Sequence, residues 1–571
     1  MSEAQLLAEL QAAIFSGLIR LILSNNEEKT ASEQANIRIS FCFVHDRIQK
    51  AIYESLDEEY KLKLHYKVGR AIRAAHNRTI GEIPQSVLFA IIGHLNEGYP
   101  LMKTEDEKSD LLQLNLRASE VAYLAGSYMQ ALTISQQTIE FLQYLHGDAY
   151  WNIEHTASLQ CYKTICETKF LLQDIQGSEE AFIIALANTT DLIEQIEIGR
   201  IRMTLYTVTG DHQKSLEIGV GLLNQMGATL SMDIDKSEAI DKLRNFLQEI
   251  ESRGGVKCFM DLARVEYPDM ILFEEIATAL FPSSYIVGNF GIYTMLPIIC
   301  LAKTLENGIT PSISPMLAYM SCSVLCFLHP GKLAVQFGQM AWKLAREYNN
   351  PKYKGVASMG ALANSYFNAN VNPNLLDEIT TECCISSLQF NDINTYVYLK
   401  TMRNWYQEFF SISLPELLQC SKESYKAIAS HKAYDSIWTI QGTIFGAFLL
   451  MYNEYPRAEK SLIYQTRADR EAAPVSMTSS YYYQIMKAQF IMNQHKEALQ
   501  QYETLQSMKE GFRGQYCYFE FQFWGLLVLL VCSDDSLESK TSAVDEFMAN
   551  LESYAKVCAP HFEHKLCCAK A

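Results

Sequence analysis

Two histidines and a cysteine near the C-terminus have the types and the spacing of metal ligands. His561, His564 and Cys568 are separated by three and four residues, so a helix would place them on one face. Imidazole and thiolate groups are ligands that zinc prefers. One helix face, however, supplies few ligands in tetrahedral geometry, and Pro560 is typical of a simple helix start. We therefore predict no metal site in this chain.

Three ionisable residues near the N-terminus, His45, Asp46 and Arg47, lie where one sequence pattern changes into another. Before them, residues 37–43 alternate between apolar and polar types, which predicts a strand. After them, apolar residues recur at intervals of four, which predicts a helix. The structural interpretation is that His45 caps or packs this helix and that Asp46 is the acidic residue favoured in its first turn.

Motifs for phosphate chemistry are missing from the sequence. There is no GxxxxGK[ST] loop and no GxGxxG followed by the kinase lysine and catalytic-loop motifs. The pair Gly254 and Gly255 predicts a turn. We therefore expect that this chain is not an enzyme and has no cofactor of its own.

Two helices are predicted to follow the strand, with a break at residues 56–59, and polar residues 24–36 predict a loop before it. We expect the two helices to pack on each other and on the next helix, so that Ile48→Asp would place an unpaired charge in a core and destabilise it strongly. The predicted buried positions are Val44, Ile48 and Ile52 in the first helix, Tyr60, Leu64, Val68 and Ile72 in the second, and Val87, Leu88, Ile91 and Leu95 in the third.

Residues 43–53 (FVHDRIQKAIY) and 64–70 (LHYKVGR) resemble the end of the ATPase module in a family of large multidomain signalling proteins. Residues 10–19 are similar to the winged-helix segment that precedes it there. In that family a Ser/Thr-kinase-like domain, a signal-transduction ATPase module and a long helical-repeat region follow one another, often with a GAF domain and a sensor histidine kinase after them. The resemblance is specific over residues 10–70, and the helical pattern continues to the C-terminus.

This resemblance implies a division into residues 1–80, a winged-helix-like remnant, and residues 81–571, degenerate tetratricopeptide-like repeats. It also implies that His45, with Asp46 and Arg47 beside it, senses the phosphates of a bound nucleotide. ATP and Mg²⁺ would then be held by ATPase or kinase domains of the parent family, supplied in cis or in trans.

The composition excludes several classes of partner. Of 571 residues 49% are hydrophobic and 20% are charged, as in a globular protein, and the net charge of −17 argues against nucleic acid and anionic membranes. The 15 cysteines are irregularly spaced and no secretory signal is evident, which indicates reduced thiols in the cytoplasm. The uncharged residues 276–302 are interrupted by Pro282, Gly288 and Pro297, which favours buried helices over a membrane span.

A short pattern recurs along the rest of the chain: a turn residue, followed five positions later by alanine or serine. A turn followed by a small residue is typical of paired antiparallel helices that approach closely. One step, from residue 176 to 210, is 34 residues, the tetratricopeptide period. The pairs are Gly126 and Ala131, Gln176 and Ala181, Gly210 and Ser215, and Asn493 and Ala498.

We therefore predict an all-α, tetratricopeptide-like superhelix with a small N-terminal winged-helix remnant. Its expected function is that of a regulatory and protein-interaction scaffold in a signalling ATPase–kinase system, with a protein partner or small ligand on the concave face. Two alternatives stay open. The chain could be a fragment of an ATP-binding hybrid kinase whose catalytic domains lie outside it, or an independent tetratricopeptide-type adaptor.

Overall fold

The protein is described here by a computed structural model that covers residues 10–24, 38–76, 79–328, 331–390, 392–410, 413–431, 434–454, 473–533 and 537–571. The chain forms two compact units, Met1–Thr190 (unit 1) and Asp191–Ala571 (unit 2). Helices follow one another through both units, which confirms the predicted all-α helical-repeat fold. The boundary predicted at residue 80, between a winged-helix-like remnant and the helical repeats, stays a prediction.

Residues 10–15 of unit 1 are helical, and an antiparallel pair of strands follows, in which Ile19 lies opposite Phe43 and Ser24 opposite Arg38. The strand predicted at residues 37–43 is thus confirmed for its described part, and Ile37 lies outside the described residues. The loop predicted at residues 24–36 is wrong at Ser24, which belongs to the first strand, and residues 25–36 lie outside the described residues. The elements of unit 1 are β1 Ile19–Ser24, β2 Arg38–Phe43, α1 Asp46–Glu54, α2 Glu58–Ala75, α3 Gln85–Gly98, α4 Glu105–Leu124, α5 Tyr128–His146, α6 Tyr150–Ile153, α7 His155–Leu171 and α8 Ile175–Ala187.

Helix α1 is not packed as we predicted. It contains no buried residue, and Ile52 on its predicted apolar face is 40% exposed. The helix contacts α2 through Tyr53, whose hydroxyl lies 2.9 Å from Nε2 of His65. Ile48 is only half-buried, so the core position predicted for it is wrong, and water can still reach a charge placed there by Ile48→Asp.

Helix α2 packs on α3, as predicted, but through a different face. Tyr60 and Leu64 of the predicted stripe are exposed, whereas Gly69 is buried. A Cβ atom on Gly69 would lie 2.5 Å from the Leu95 side chain, so the helices meet at this glycine. The observed contact face is therefore offset by about one residue from the predicted one. The contact forms at Gly69 because a glycine lets the two helices approach more closely than a large apolar residue would.

The recurring turn pattern corresponds to real helix pairs at Gly126, Gly210 and Asn493, each of which has a positive φ. The residues five positions later, Ala131, Ser215 and Ala498, are fully buried. At the remaining pair the predicted register is wrong. The turn residue is Gln173, with φ 69°, and the buried small residue five positions later is Ser178, because Gly177 already lies inside α8.

This correction also removes the 34-residue step. The two turns lie at residues 173 and 210, so they are 37 residues apart. The turns at Gln173 and Asn493 close through the same backbone hydrogen bond: the N–H of Asp174 donates to the carbonyl of Lys169, and the N–H of Gln494 to that of Gln489, both at 2.8 Å. The repeats therefore share a turn geometry but not a fixed length.

Unit 2 continues the array. Its helices are α9 Leu192–Val208, α10 His212–Gln225, α11 Lys236–Ser252, α12 Pro268–Val287, α13 Phe290–Asn307, α14 Ser314–Phe327, α15 Lys332–Glu347, α16 Pro351–Ala363, α17 Pro373–Gln389, α18 Ile393–Phe409, α19 Leu414–Ser430, α20 Tyr434–Tyr452, α21 Val475–Ile491, α22 His495–Ser507, α23 Tyr516–Cys532, α24 Leu537–Val557 and α25 Ala559–Lys570.

The uncharged stretch at residues 276–302 is divided between α12 and α13. Gly288, with φ 80°, ends the first helix, and the side chain of Asn289 caps the second by accepting from the N–H of Ile292. Among the described helices, α12 is long and apolar enough to cross a membrane by length and composition, but over half of its apolar window is buried in the unit. It is a core helix of unit 2, with Ile276 and Leu280 fully buried.

The C-terminal helices of unit 2 fold back onto its earlier helices. The ammonium of Lys236 pairs with Glu510 at 2.8 Å, and Nδ1 of His561 lies 2.7 Å from the carbonyl oxygen of Tyr366. The rings of Phe367 and Phe562 stack with centroids 5.1 Å apart. Unit 2 is therefore closed on itself by contacts between residues far apart in sequence.

Candidate functional site

The predicted nucleotide-sensing residues lie at the start of α1. The backbone of His45 is extended, and its Nδ1 accepts the N–H of Arg47 at 3.2 Å, so the imidazole caps the helix. Asp46 is the acidic residue of the first turn. All three side chains are exposed. Because Nδ1 acts as an acceptor, the neutral imidazole carries its proton on Nε2. Contact with a nucleotide stays a prediction.

The histidines and cysteine near the C-terminus are not brought together around one point. His561 is held by the Tyr366 carbonyl and lies against the ring of Phe409, whereas Cys568 is exposed. Burial lowers the pKa of His564, and the ammonium of Lys565 lowers it further. Within the described ranges, no three His, Cys, Asp or Glu side chains are grouped so that they could hold a metal ion. The role that the structure gives His561 is to dock α25.

A cavity of about 150 Å³ that is partly open to solvent lies between helices of unit 2, and sequence reasoning did not find it. Helices α12, α13, α14, α16, α18 and α21 form its wall together with the segment 513–515. Aromatic rings and sulfur-bearing side chains dominate the lining: Phe281, Tyr285, Tyr293, Tyr319, Tyr398, Trp405, Cys322, Cys326, Met359, Met402 and Met477.

The segment 513–515 is fixed tightly against the helices that form this cavity. The Tyr285 hydroxyl donates to the carbonyl of Arg513 at 2.9 Å, and the Gln515 amide donates to the carbonyl of Ser476 at 2.6 Å. Gly514 has φ 80°, and a Cβ atom there would overlap the sulfur of Cys326. A glycine is thus required both for the backbone conformation and for the close approach.

The lining of the cavity contains a single charged side chain, that of Arg513, among the described residues. Burial raises the pKa values of the Tyr285, Tyr293 and Tyr319 phenols and of the Cys322 thiol far above neutrality, so these groups stay protonated. The one charged lining side chain, Arg513, is paired with Glu510 at 2.8 Å. The site therefore suits a neutral molecule.

Two residues of the lining carry a buried polar group that has no hydrogen-bond partner among the described residues: the indole N–H of Trp405 and the hydroxyl of Ser476. Such groups are uncommon in protein interiors because leaving them unpaired is unfavourable. Their positions in sequence gave no signal, since serine and tryptophan occur throughout the array. Only folding brings α18 and α21 to the same cavity.

A wider and more polar groove lies elsewhere in unit 2, with a volume of about 610 Å³. Trp342 and Arg346 of α15 line one part of it, and Asn368, Asn370 and Asn372 line another. Trp342 is partly buried and packs against the core of unit 2.

No family model matches the chain. It is 22% identical over 428 residues to the hybrid signal transduction histidine kinase G of Dictyostelium discoideum. The matched region covers 68% of this chain but only 12% of that protein. The chain therefore spans a small part of the relative's length. This similarity, together with the helical-repeat fold, supports a signalling context for the chain.

Proposed function

We propose that this chain is a regulatory, non-catalytic arm of a signalling ATPase–kinase system. The observation that carries the proposal is the similarity to a hybrid histidine kinase along 68% of the chain, in a protein whose described residues form a helical-repeat scaffold. Such an arm acts by binding one ligand or partner more tightly in one state of the system than in another. The system operates in the cytoplasm.

The winged-helix and tetratricopeptide assignments belong to this proposal. The β1–β2 pair followed by α1, with His45 at the join, supports a winged-helix remnant. The common turn geometry at Gly126, Gln173, Gly210 and Asn493 supports degenerate repeats of helix pairs. His45, Asp46 and Arg47 then face nucleotide phosphates that an ATPase module holds in cis or in trans.

Nucleotide binding by the purified chain tests the non-catalytic part of the proposal. No titration heat is expected with Mg-ATP at millimolar concentration, and no phosphate release, because the sequence lacks a phosphate loop. Saturable micromolar binding that a single pocket substitution abolishes would contradict it.

The transcript around this coding region tests the signalling part. In-frame histidine-kinase or ATPase sequence on either side is expected, and deletion of this region should change the basal autophosphorylation of the encoded kinase. Stop codons on both sides, without such sequence, would favour an independent adaptor instead.

A further inference from the structure

We propose that Tyr53, His65 and His94 form a latch that holds α1 on the rest of unit 1 and opens when both histidines are protonated. The latch goes beyond the proposed function and does not depend on it, because every residue involved lies in unit 1 of this chain. Three features carry the proposal: the hydrogen-bond geometry of the latch, the weak packing of α1 and the charges around the two imidazoles.

The latch joins three helices through the ring of His65. The hydroxyl of Tyr53 in α1 lies 2.9 Å from Nε2 of His65 in α2, and Nδ1 of His65 lies 3.0 Å from Nδ1 of His94 in α3. The rings also pack on one another, with the Tyr53 and His65 centroids 5.7 Å apart and the His65 and His94 centroids 5.0 Å apart. His65 is therefore bonded at both ring nitrogens, once toward each neighbouring helix.

The contact between the two imidazoles limits how many protons the latch can hold. A hydrogen bond between two Nδ1 atoms requires one proton between them, so one ring donates and the other accepts. When both imidazoles are neutral, or when one of them is charged, this arrangement is available. When both are charged, each Nδ1 carries a hydrogen, neither ring can accept, and two cations face each other. The second added proton therefore breaks the bond between His65 and His94.

Helix α1 has few other contacts that could replace this bond. It contains no buried residue, and none of the described side chains in the strand pair before it is buried. Its residue Tyr53 carries a further contact to α2, since the ammonium of Lys61 lies 5.2 Å from the Tyr53 ring centroid. Elements with so little buried apolar surface open at low free-energy cost. The loss of one hydrogen-bonded contact is then enough to release α1.

The charged groups around the latch do not compensate a second proton. On α2 the nearest cation, Lys61, is paired with Glu58 at 2.7 Å, and Glu54 of α1 acts on this same ammonium. In the part of the chain that the structure describes, neither imidazole forms an ion pair with a carboxylate, and the group that α3 presents to His65 is His94 itself. A doubly charged latch would therefore stay unneutralised.

The direction of the pH dependence follows from His94. Burial lowers the pKa of its imidazole below the ordinary value of 6.5, and the neighbouring His65 lowers it further. Below pH 6.5 the docked form thus holds fewer protons than the released form, so docking is lost as the pH falls. Because α1 begins directly after His45, opening of the latch would also release the three ionisable residues at its start, His45, Asp46 and Arg47.

Hydrogen exchange of the purified full chain, measured by mass spectrometry at pH 8 and at pH 5, tests the latch. Rates are expressed as protection factors, which remove the pH dependence of exchange in an unstructured chain. We expect the protection of residues 46–54 to be about tenfold lower at pH 5, the effect of losing one net hydrogen-bonded contact, while α4 and α5 keep their protection. Equal protection of α1 at both pH values overturns the inference.

His94→Gln separates the latch from general acid destabilisation. The glutamine amide can still pair with Nδ1 of His65 but takes up no proton, so α1 should be protected equally at pH 8 and pH 5. His146→Gln, at the end of α5, changes a histidine of the same unit outside the latch and is the matched control, which should keep the tenfold loss. If His94→Gln loses protection at pH 5 as the wild type does, the latch is refuted.

Nitrogen-15 NMR of the histidine rings provides a second readout that does not require His94→Gln to fold. In His65→Gln the charge that opposes protonation of His94 is gone, so the pKa of His94 should rise relative to the wild type. An unchanged pKa of His94 in this variant would show that the two rings titrate independently, and it would overturn the inference as well.

Discussion

Adjacent glutamates of α12 illustrate how burial and partners decide the charge of a single residue. Glu274 is buried: one carboxylate oxygen accepts from the hydroxyls of Thr310 and Ser312, and the other has no partner. Burial raises its pKa to about 7, and the two hydroxyls oppose this only in part. Glu274 is therefore a carboxyl group that titrates near neutral pH.

The titration of Glu274 should make the free energy of unfolding depend on pH. Between its ordinary pKa of 4.5 and about 7, the folded chain keeps a proton that the unfolded chain has lost, so stability falls as pH rises through this window. The full loss is roughly 3 kcal/mol. Glu274→Gln cannot ionise, so we expect it to be more stable than wild type at pH 8 and similar at pH 5, as measured by urea unfolding.

Glu275 provides a control of opposite sign. Burial raises its pKa, but the Lys352 ammonium and the Tyr353 hydroxyl outweigh that effect, so the net pKa is lowered. Its stabilisation is present above the ordinary pKa, and Glu275→Gln should therefore destabilise the protein at pH 8. If both glutamine variants change stability in the same direction at pH 8, the assignment for Glu274 is wrong.

For single residues, a role that depends on neighbours along the chain was easier to predict than one that depends on residues far away in sequence. The interpretation of His45 as a helix cap rested on its neighbours along the chain, and the structure shows that cap. Glu274 resembled any acidic residue on a helix, because its hydroxyl partners lie 36 and 38 residues away.

At the scale of elements, three consecutive helices of unit 2 meet through small residues. A Cβ atom on Gly338 of α15 would lie 2.6 Å from the carbonyl oxygen of Gly360 in α16. A Cβ atom on Gly360 would in turn lie 2.7 Å from the Cα of Ala318 in α14. The backbones of these helices are thus closer than any larger residue would allow.

Gly360→Ala should destabilise unit 2 even though alanine is the better helix former. The added methyl group meets backbone atoms, which cannot rotate away, and overpacking of this kind costs about 1–3 kcal/mol. Gly221→Ala in α10 is the matched control: a Cβ atom there meets nothing within 4 Å, so it should stabilise by up to about 1 kcal/mol. Chemical denaturation of both variants measures the difference, and equal effects would contradict the close contact.

The existence and type of helices were predictable because apolar periodicity is local. Their contact faces were not, as α2 shows: its predicted stripe included the exposed Tyr60 and Leu64, and the contact forms at Gly69. The register of the α7–α8 turn also failed, because Gln173 adopts the left-handed conformation, whereas the pattern placed the turn at Gln176. A neighbouring helix decides both features, and one sequence does not contain that information locally.

At the scale of the whole chain, unit 2 differs from an open repeat array. In an open array each repeat contacts only its neighbours, so damage at one end stays there. In unit 2, α25 instead contacts residues almost 200 positions earlier, through the bond from His561 to the Tyr366 carbonyl and the stacking of Phe562 on Phe367. We therefore expect unit 2 to lose structure at both places together.

Phe562→Ala tests this cooperative closure. Phe562 is fully buried against Phe367 and Tyr554, and removing a buried phenyl ring costs about 3–5 kcal/mol. Hydrogen exchange measured by mass spectrometry should become faster in α25 and also at Ser365–Phe367, which lies far away in sequence but under the same ring. Cys567→Ala, on the exposed face of α25, should leave both segments unchanged. Faster exchange confined to α25 would show that the helix frays alone, and that unit 2 behaves as an open array despite these contacts.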